Sequence, residues 1–133
     1  MVICYLGIGS NLGDRKKTIK AAIRKINTLK GTKVIKVSRL IETEPVGGPS
    51  NQLKFLNGAL KIKTDLGASM LLKRLKKIEK ELGRIETVRY GPRAIDIDIL
   101  FYADKIIKRK ELTIPHPRLF ERKFVIKPLS EVI

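Results

Sequence analysis

The fold class this sequence predicts is α+β. The expected order is ferredoxin-like, βαββαβ, with an antiparallel sheet and helices packed mainly on one face. Three observations carry it. Two stretches repeat apolar residues at helical spacing, several others alternate or run apolar as strands do, and glycines, prolines and an aspartate separate them in that order.

Val2-Ile3-Cys4-Tyr5-Leu6-Gly7-Ile8 reads as a buried first strand. Gly9, Asn11 and Gly13 read as a turn, and Asp14 as the N-cap of a helix running from Arg15 to Leu29. Ile19, Ala22, Ile23, Ile26 and Leu29 form its apolar stripe, and its lysines and arginines read as a solvated face. Gly31 stops that helix, and Lys33 to Ser38 alternates as a second strand. Thr43 to Gln52, with Pro45, Gly47, Gly48 and Pro49, reads as a loop. Leu53 to Thr64 alternates as a third strand. Leu71, Leu75, Ile78 and Leu82 mark a second helix, which Gly83 ends. Arg84 to Arg93 has no period and reads as a loop. Ala94 to Tyr102 reads as a fourth strand with a hairpin partner at Lys105 to Lys108, and Phe124 to Leu129 as a last short strand.

With 133 residues the chain fits a single domain over 1–133. No apolar run is long enough to span a bilayer, and Cys4, the only cysteine, excludes a disulfide framework, so a cytoplasmic location is expected. The formal net charge of +16 favours polyanions, whether nucleic acid or nucleotide phosphates. A Lys/Ile-rich, Gln-poor balance also fits a thermophile or an AT-rich genome, so part of that charge is compositional.

Asp96 and Asp98 stand two apart in a run of isoleucines, so both carboxylates leave one face of the strand, about 6–7 Å apart. Ile95, Ile97 and Ile99 then point into the core. Paired magnesium ions would explain two aspartates in so basic a chain. The alternative is a solvated face salt-bridged to Lys or Arg. Arg93, with Arg84 and Arg89 upstream, favours a polyphosphate, because a guanidinium binds phosphate oxygens in pairs. His116, between Pro115 and Pro117, is presented by a restricted backbone, with Arg118 and Arg122 close behind. Phe55 and Phe124 are either core residues or the two sides of a slot for a flat heterocycle, with Asn57 reading its polar edge. Gly7 to Gly13 has the glycines of a phosphate loop but no Gly-Lys-Ser/Thr, so it is not a Walker A motif.

Together these segments resemble the 6-hydroxymethyl-7,8-dihydropterin pyrophosphokinases of the folate pathway, over nearly the whole chain. Gly91-Pro92-Arg93-Ala94-Ile95-Asp96-Ile97-Asp98 matches the family signature G-P-R-x-x-D-hydrophobic-D. Gly9-Ser10-Asn11-Leu12-Gly13, Thr43-Glu44-Pro45, Phe55-Leu56-Asn57 and Leu112 to Arg118 match further family segments in order. The resemblance implies transfer of pyrophosphate from ATP to the pterin hydroxymethyl group. It implies that Asp96 and Asp98 hold two Mg²⁺ ions and share the catalytic work with Arg84 and Arg93. Arg89, Tyr90, Arg93, Ile99, Thr113, His116 and Arg122 would contact ATP. Thr43, Val46, Phe55, Asn57, Asp96 and Phe124 would contact the pterin, and Glu79 matches a family carboxylate near the site. Partners would be these two small molecules, acting on a monomer without nucleic acid or membrane. The sequence departs from the family pattern at Lys76, Glu86 and Glu111, and ends at Ile133, sooner than many relatives. Two rivals compete. A basic RNA-binding module of the RRM kind suits the fold class and charge, but it should carry aromatics where Asp96 and Asp98 stand. A metal-dependent nuclease or other phosphotransferase keeps the aspartates but gives Phe55, Asn57 and Phe124 no role.

Overall fold

The structure, a computed structural model, describes residues 1–44, 53–83, 94–117, 119 and 123–133, and of 123 and 124 the backbone alone. The elements are β1 (Val2–Ser10), α1 (Arg15–Asn27), β2 (Thr32–Val37), β3 (Ile41–Thr43), β4 (Phe55–Thr64), α2 (Ala68–Glu81), β5 (Asp96–Tyr102), β6 (Ile107–Lys108), β7 (Thr113–Ile114) and α3 (Lys123–Val132). The main sheet is antiparallel in the order β2-β4-β1-β5, and β3 pairs with β4 at the end that β2 leaves uncovered. The expected α+β architecture of ferredoxin-like order is therefore present.

Alternation along the strands divides the core in two. Cys4, Leu6 and Ile8 of β1, Leu60 and Ile62 of β4, and Ile97 and Ile99 of β5 face α1 and α2. Those helices return Ile19, Ala22 and Ile26, and Leu71, Leu75 and Ile78. Asp14 caps α1 by accepting from the Lys17 N–H at 3.1 Å. Cys4 is buried there, and desolvation pushes its thiol up to about 11, as expected of a small hydrophobe rather than a reactive group.

The opposite face carries a smaller core of Ala59, Leu100, Leu119, Leu129 and Val132, edged by Tyr5, Phe101, Val125 and Ile126. A bulge in the β1–β5 ladder between Tyr5 and Leu6 turns Leu100 and Phe101 to this side together. The covering element is α3, which corrects the strand expected at Phe124 to Leu129. Val125 and Ile126 are β-branched and suggest a strand. Yet Leu129 and Val132 continue the apolar set at spacings of three, which only a helix brings to one side, and Pro128 is tolerated within it. Arg39, between β2 and β3, ties this helix down: its backbone N–H and its guanidinium both donate to Glu131. Those bonds, the backbone one first, hold the Glu131 carboxyl below its ordinary range.

Three further expectations change. Lys105 to Lys108 does not return along β5; β6 pairs with β7 through a turn in which Arg109 and Leu112 exchange backbone hydrogen bonds. Gly9 belongs to β1 rather than to a turn, because it pairs with both Asn57 and Asp96. Thr43 closes a short strand instead of opening a loop. Since α3 completes a core, Leu129→Ala is expected to cost about 2–4 kcal/mol of unfolding free energy, measured by urea denaturation, as a cavity against the sheet would.

Candidate active site

Beside α3, among the described residues, one end of the second sheet face carries polar side chains in place of an apolar core, and β1 runs along its middle. Gly7 lies directly opposite Asp98, and Gly9 directly opposite Asp96. Cross-strand partners point to the same face, so each aspartate stands beside a position with no side chain. On the other side of β1, Gly9 is opposite Asn57 and Gly7 opposite Ala59. The result is a shallow trough walled by half-buried carboxylates on β5 and by Asn57 and Phe55 on β4. Gly9 makes room for Asn57: a Cβ there would strike the carboxamide oxygen and force Asn57 to shift. Gly7 is less constrained, since its Cβ would meet Leu100 at an ordinary 3.5 Å.

Asn57 is buried, and its Nδ2 donates to the Thr43 hydroxyl at 2.6 Å. Thr43 pairs with Phe55 and Ile41 with Asn57, so β3 carries Thr43 to the same face. Phe55 is half-buried at the mouth of β4. The polar pair and the ring thus lie at one end of the trough, with Asp96 across β1 from Asn57.

Glu79 fixes the other wall. It is buried on α2, and its carboxylate accepts from the Ile97 N–H at 2.8 Å. Ile97 is the residue between the two aspartates, on the outermost strand of the sheet. That hydrogen bond holds β5 at the point where its carboxylates must face outward together. His116 arrives beside them because its N–H donates to the Leu100 carbonyl at 3.1 Å, two residues beyond Asp98. Its own carbonyl accepts from Leu119, which anchors that corner in the second core. Thr113 is half-buried on β7. The Ile99 side chain is packed in the first core, facing away, so a nucleotide would meet only its backbone.

Val46, Arg84, Arg89, Tyr90, Arg93, Arg122 and the side chain of Phe124 lie outside the described residues. Among those described, Thr43, Phe55, Asn57, Asp96, Asp98 and His116 converge. Two contributions escaped the sequence. The Gly-x-Gly of β1 is the register complement of Asp-x-Asp on β5, a signal visible once the two strands are paired. Arg15 is not on a solvated face: its guanidinium reaches β3 and the start of β4. Only tertiary contact reveals it.

Asp96 and Asp98 are hard oxygen donors, half-buried and side by side on one face of β5. This suits magnesium, which takes few carboxylates and completes its shell with water and substrate phosphates. The same face argues against RNA recognition, since half-buried carboxylates stand on it and α3 packs against its aromatics Tyr5 and Phe101.

A sequence model of 7,8-dihydro-6-hydroxymethylpterin-pyrophosphokinase (HPPK) matches residues 5–133. The chain belongs to the HPPK family. It is similar to the 2-amino-4-hydroxy-6-hydroxymethyldihydropteridine pyrophosphokinase of Bacillus subtilis, 44% identical over 98% of this chain and 77% of that protein. The enzyme of the same name from Aquifex aeolicus is 46% identical over 99% of this chain and 81% of that protein. The folic acid synthesis protein fol1 of Pneumocystis carinii is 48% identical over 96% of this chain, which spans only 17% of that longer protein. In this HPPK chain Gly9→Ala is expected to destabilise the fold by about 1–3 kcal/mol and to turn Asn57 away from Thr43. Calorimetric unfolding and a structure of the variant check both effects.

Proposed function

We propose that this chain transfers the β,γ-pyrophosphoryl group of ATP to the hydroxymethyl oxygen of 6-hydroxymethyl-7,8-dihydropterin, releasing AMP. The observation that carries this reading is the trough itself. It has two carboxylates along one wall and a buried carboxamide with an aromatic ring along the other, in a chain of the HPPK family.

The pterin is assigned to the Asn57 end. The Asn57 carboxamide and Thr43 hydroxyl, with backbone near Val46, read its polar edge. Phe55 and Phe124 stack on its faces, and Asp96 lies toward its reacting side chain. The triphosphate is assigned to the Asp98 end, where His116 binds a phosphate oxygen and Thr113 and the Ile99 backbone face the nucleotide. Arg84, Arg89, Arg93 and Arg122 neutralise the phosphates, with Arg84 and Arg93 acting on the transferred group, and Tyr90 covers the nucleotide.

In the reaction the pterin hydroxyl oxygen attacks the β-phosphorus. The bond from that phosphorus to the α,β-bridging oxygen breaks, and its electron pair leaves with AMP. The hydroxyl proton is lost to solvent. Positioning and charge neutralisation supply most of the rate in such a transfer. Asp96 and Asp98 would hold two magnesium ions. When bound, these neutralise the polyphosphate and polarise the phosphorus under attack. The chain's own work is to hold both substrates in line between the β5 carboxylates and Asn57, and to keep water from the phosphorus. One domain over residues 1–133 and one chain suffice, with ATP and the pterin as partners, in the cytoplasm.

Incubation with ATP, the pterin and Mg²⁺ is expected to yield AMP and pterin pyrophosphate in equal amounts, read by chromatography. Absence of AMP from folded protein would reject the assignment. Asp98→Ala should lower turnover by at least about a thousandfold while its melting temperature stays near that of the parent. Near-parental turnover in that variant would remove Asp98 from the metal site.

A further inference from the structure

We infer that Arg15 is a positioning residue for the pterin subsite: from the first turn of α1 it clamps β3 to the start of β4, and so sets the Thr43–Asn57 pair. The inference rests on the assignment of that pair to the pterin. Arg15 Nη1 donates to the Lys54 carbonyl at 2.9 Å, and Nη2 donates to Glu42 Oε1 at 2.5 Å. One guanidinium therefore holds both β3 and the residue just before β4. Asn11, at the end of β1, adds a bond from Nδ2 to the Leu53 carbonyl at 3.1 Å. The Lys54 ammonium meets Glu44 at 3.4 Å, a further cross-link between the same two segments.

The strand β3 needs such support. It has three residues and, among the described residues, pairs with β4 alone. Along a strand, neighbours face opposite ways, so Glu42 points to the α1 side while Thr43 points into the trough. Arg15 thus grips β3 from behind, and the grip fixes how far the Thr43 hydroxyl stands from Asn57. The Arg15 hydrogen bond and charge hold the Glu42 carboxyl below its ordinary range, with a smaller contribution from Lys54. The planar fork matters here: it can meet a carbonyl and a carboxylate at once, which an ammonium cannot do with the same geometry.

The test is binding of 6-hydroxymethyl-7,8-dihydropterin by calorimetry, with a non-hydrolysable ATP analogue and MgCl₂ present. It is read beside the Kd of the analogue and steady-state kinetics. Arg15→Met should raise the pterin Kd about three- to tenfold. It should leave the analogue Kd and the kcat at saturating pterin within about twofold of the parent. Arg15→Lys should recover part of the loss. Thr43→Val should weaken pterin on its own, and Arg15→Met combined with it should be no weaker than the worse single variant, since both act through one contact. Glu42→Gln, a milder change on an exposed side chain, should shift pterin binding in the same direction and carries the test if Arg15→Met does not fold. An unchanged pterin Kd in Arg15→Met and Glu42→Gln, or equal weakening of pterin and nucleotide, overturns the inference. Parent protein that takes up no pterin overturns the pterin assignment together with it, and the parent titration alone makes that distinction.

Discussion

The alternation of β1 governs the rest of the structure. Its even-numbered residues Cys4, Leu6 and Ile8 are committed to the core beneath α1 and α2. Its odd-numbered residues must then line the opposite face, where Gly7 and Gly9 leave space for other groups. Because side chains repeat every two residues, register is all-or-none: sliding β5 by one would bury Asp96 and Asp98 and expose Ile97 and Ile99. The hydrophobic demand of the isoleucines is thus what aims the carboxylates. Burial of three such side chains contributes several kcal/mol, at roughly 1.5–3 kcal/mol each, enough to hold two aspartates side by side on one wall.

The trough is fixed by neighbours that do not line it. Glu79 holds the amide between the two aspartates, the Leu100 carbonyl holds His116, and α3 closes the remaining half of the face through Leu129 and Val132. Arg39 and Glu131 tie α3 to the segment leading into β3. From the other side of the sheet, Arg15 reaches the same strand. The walls are therefore set by polar contacts from α1, α2 and α3, each anchored in an apolar core.

Much of this could be read from the sequence, for identifiable reasons. Isoleucines alternating with aspartates state both the strand and its faces. The stripes of α1 and α2 are long enough to give an unambiguous period, and Asp14 marks the helix start. Short elements fail the same treatment. Phe124 to Leu129 alone is an apolar run without a distinguishable period, and only Val132 beyond it shows the helical spacing. Ile41–Thr43 and Thr113–Ile114 are too short to carry a pattern at all. Gly9 reads as a turn because glycine usually marks one, whereas here it answers a packing demand from a strand not adjacent in sequence. Arg15 looks like any basic residue on a helix, because its acceptors lie 27 and 39 residues away. The family was legible in its motifs, whereas the contacts that set Asp96, Asp98 and Asn57 in place depend on tertiary structure.

On the proposed function, Asp96 and Asp98, opposite Gly9 and Gly7, hold the divalent ions of a bound nucleotide. Replacing magnesium with Mn²⁺ in the presence of a non-hydrolysable ATP analogue tests this directly, through paramagnetic broadening of assigned amide resonances. Two manganese ions per chain are expected. Broadening should centre on Gly7, Gly9, Asp96 and Asp98, fade along β4 and be lost in Asp98→Ala. Broadening centred elsewhere, or unchanged by that substitution, would contradict that assignment.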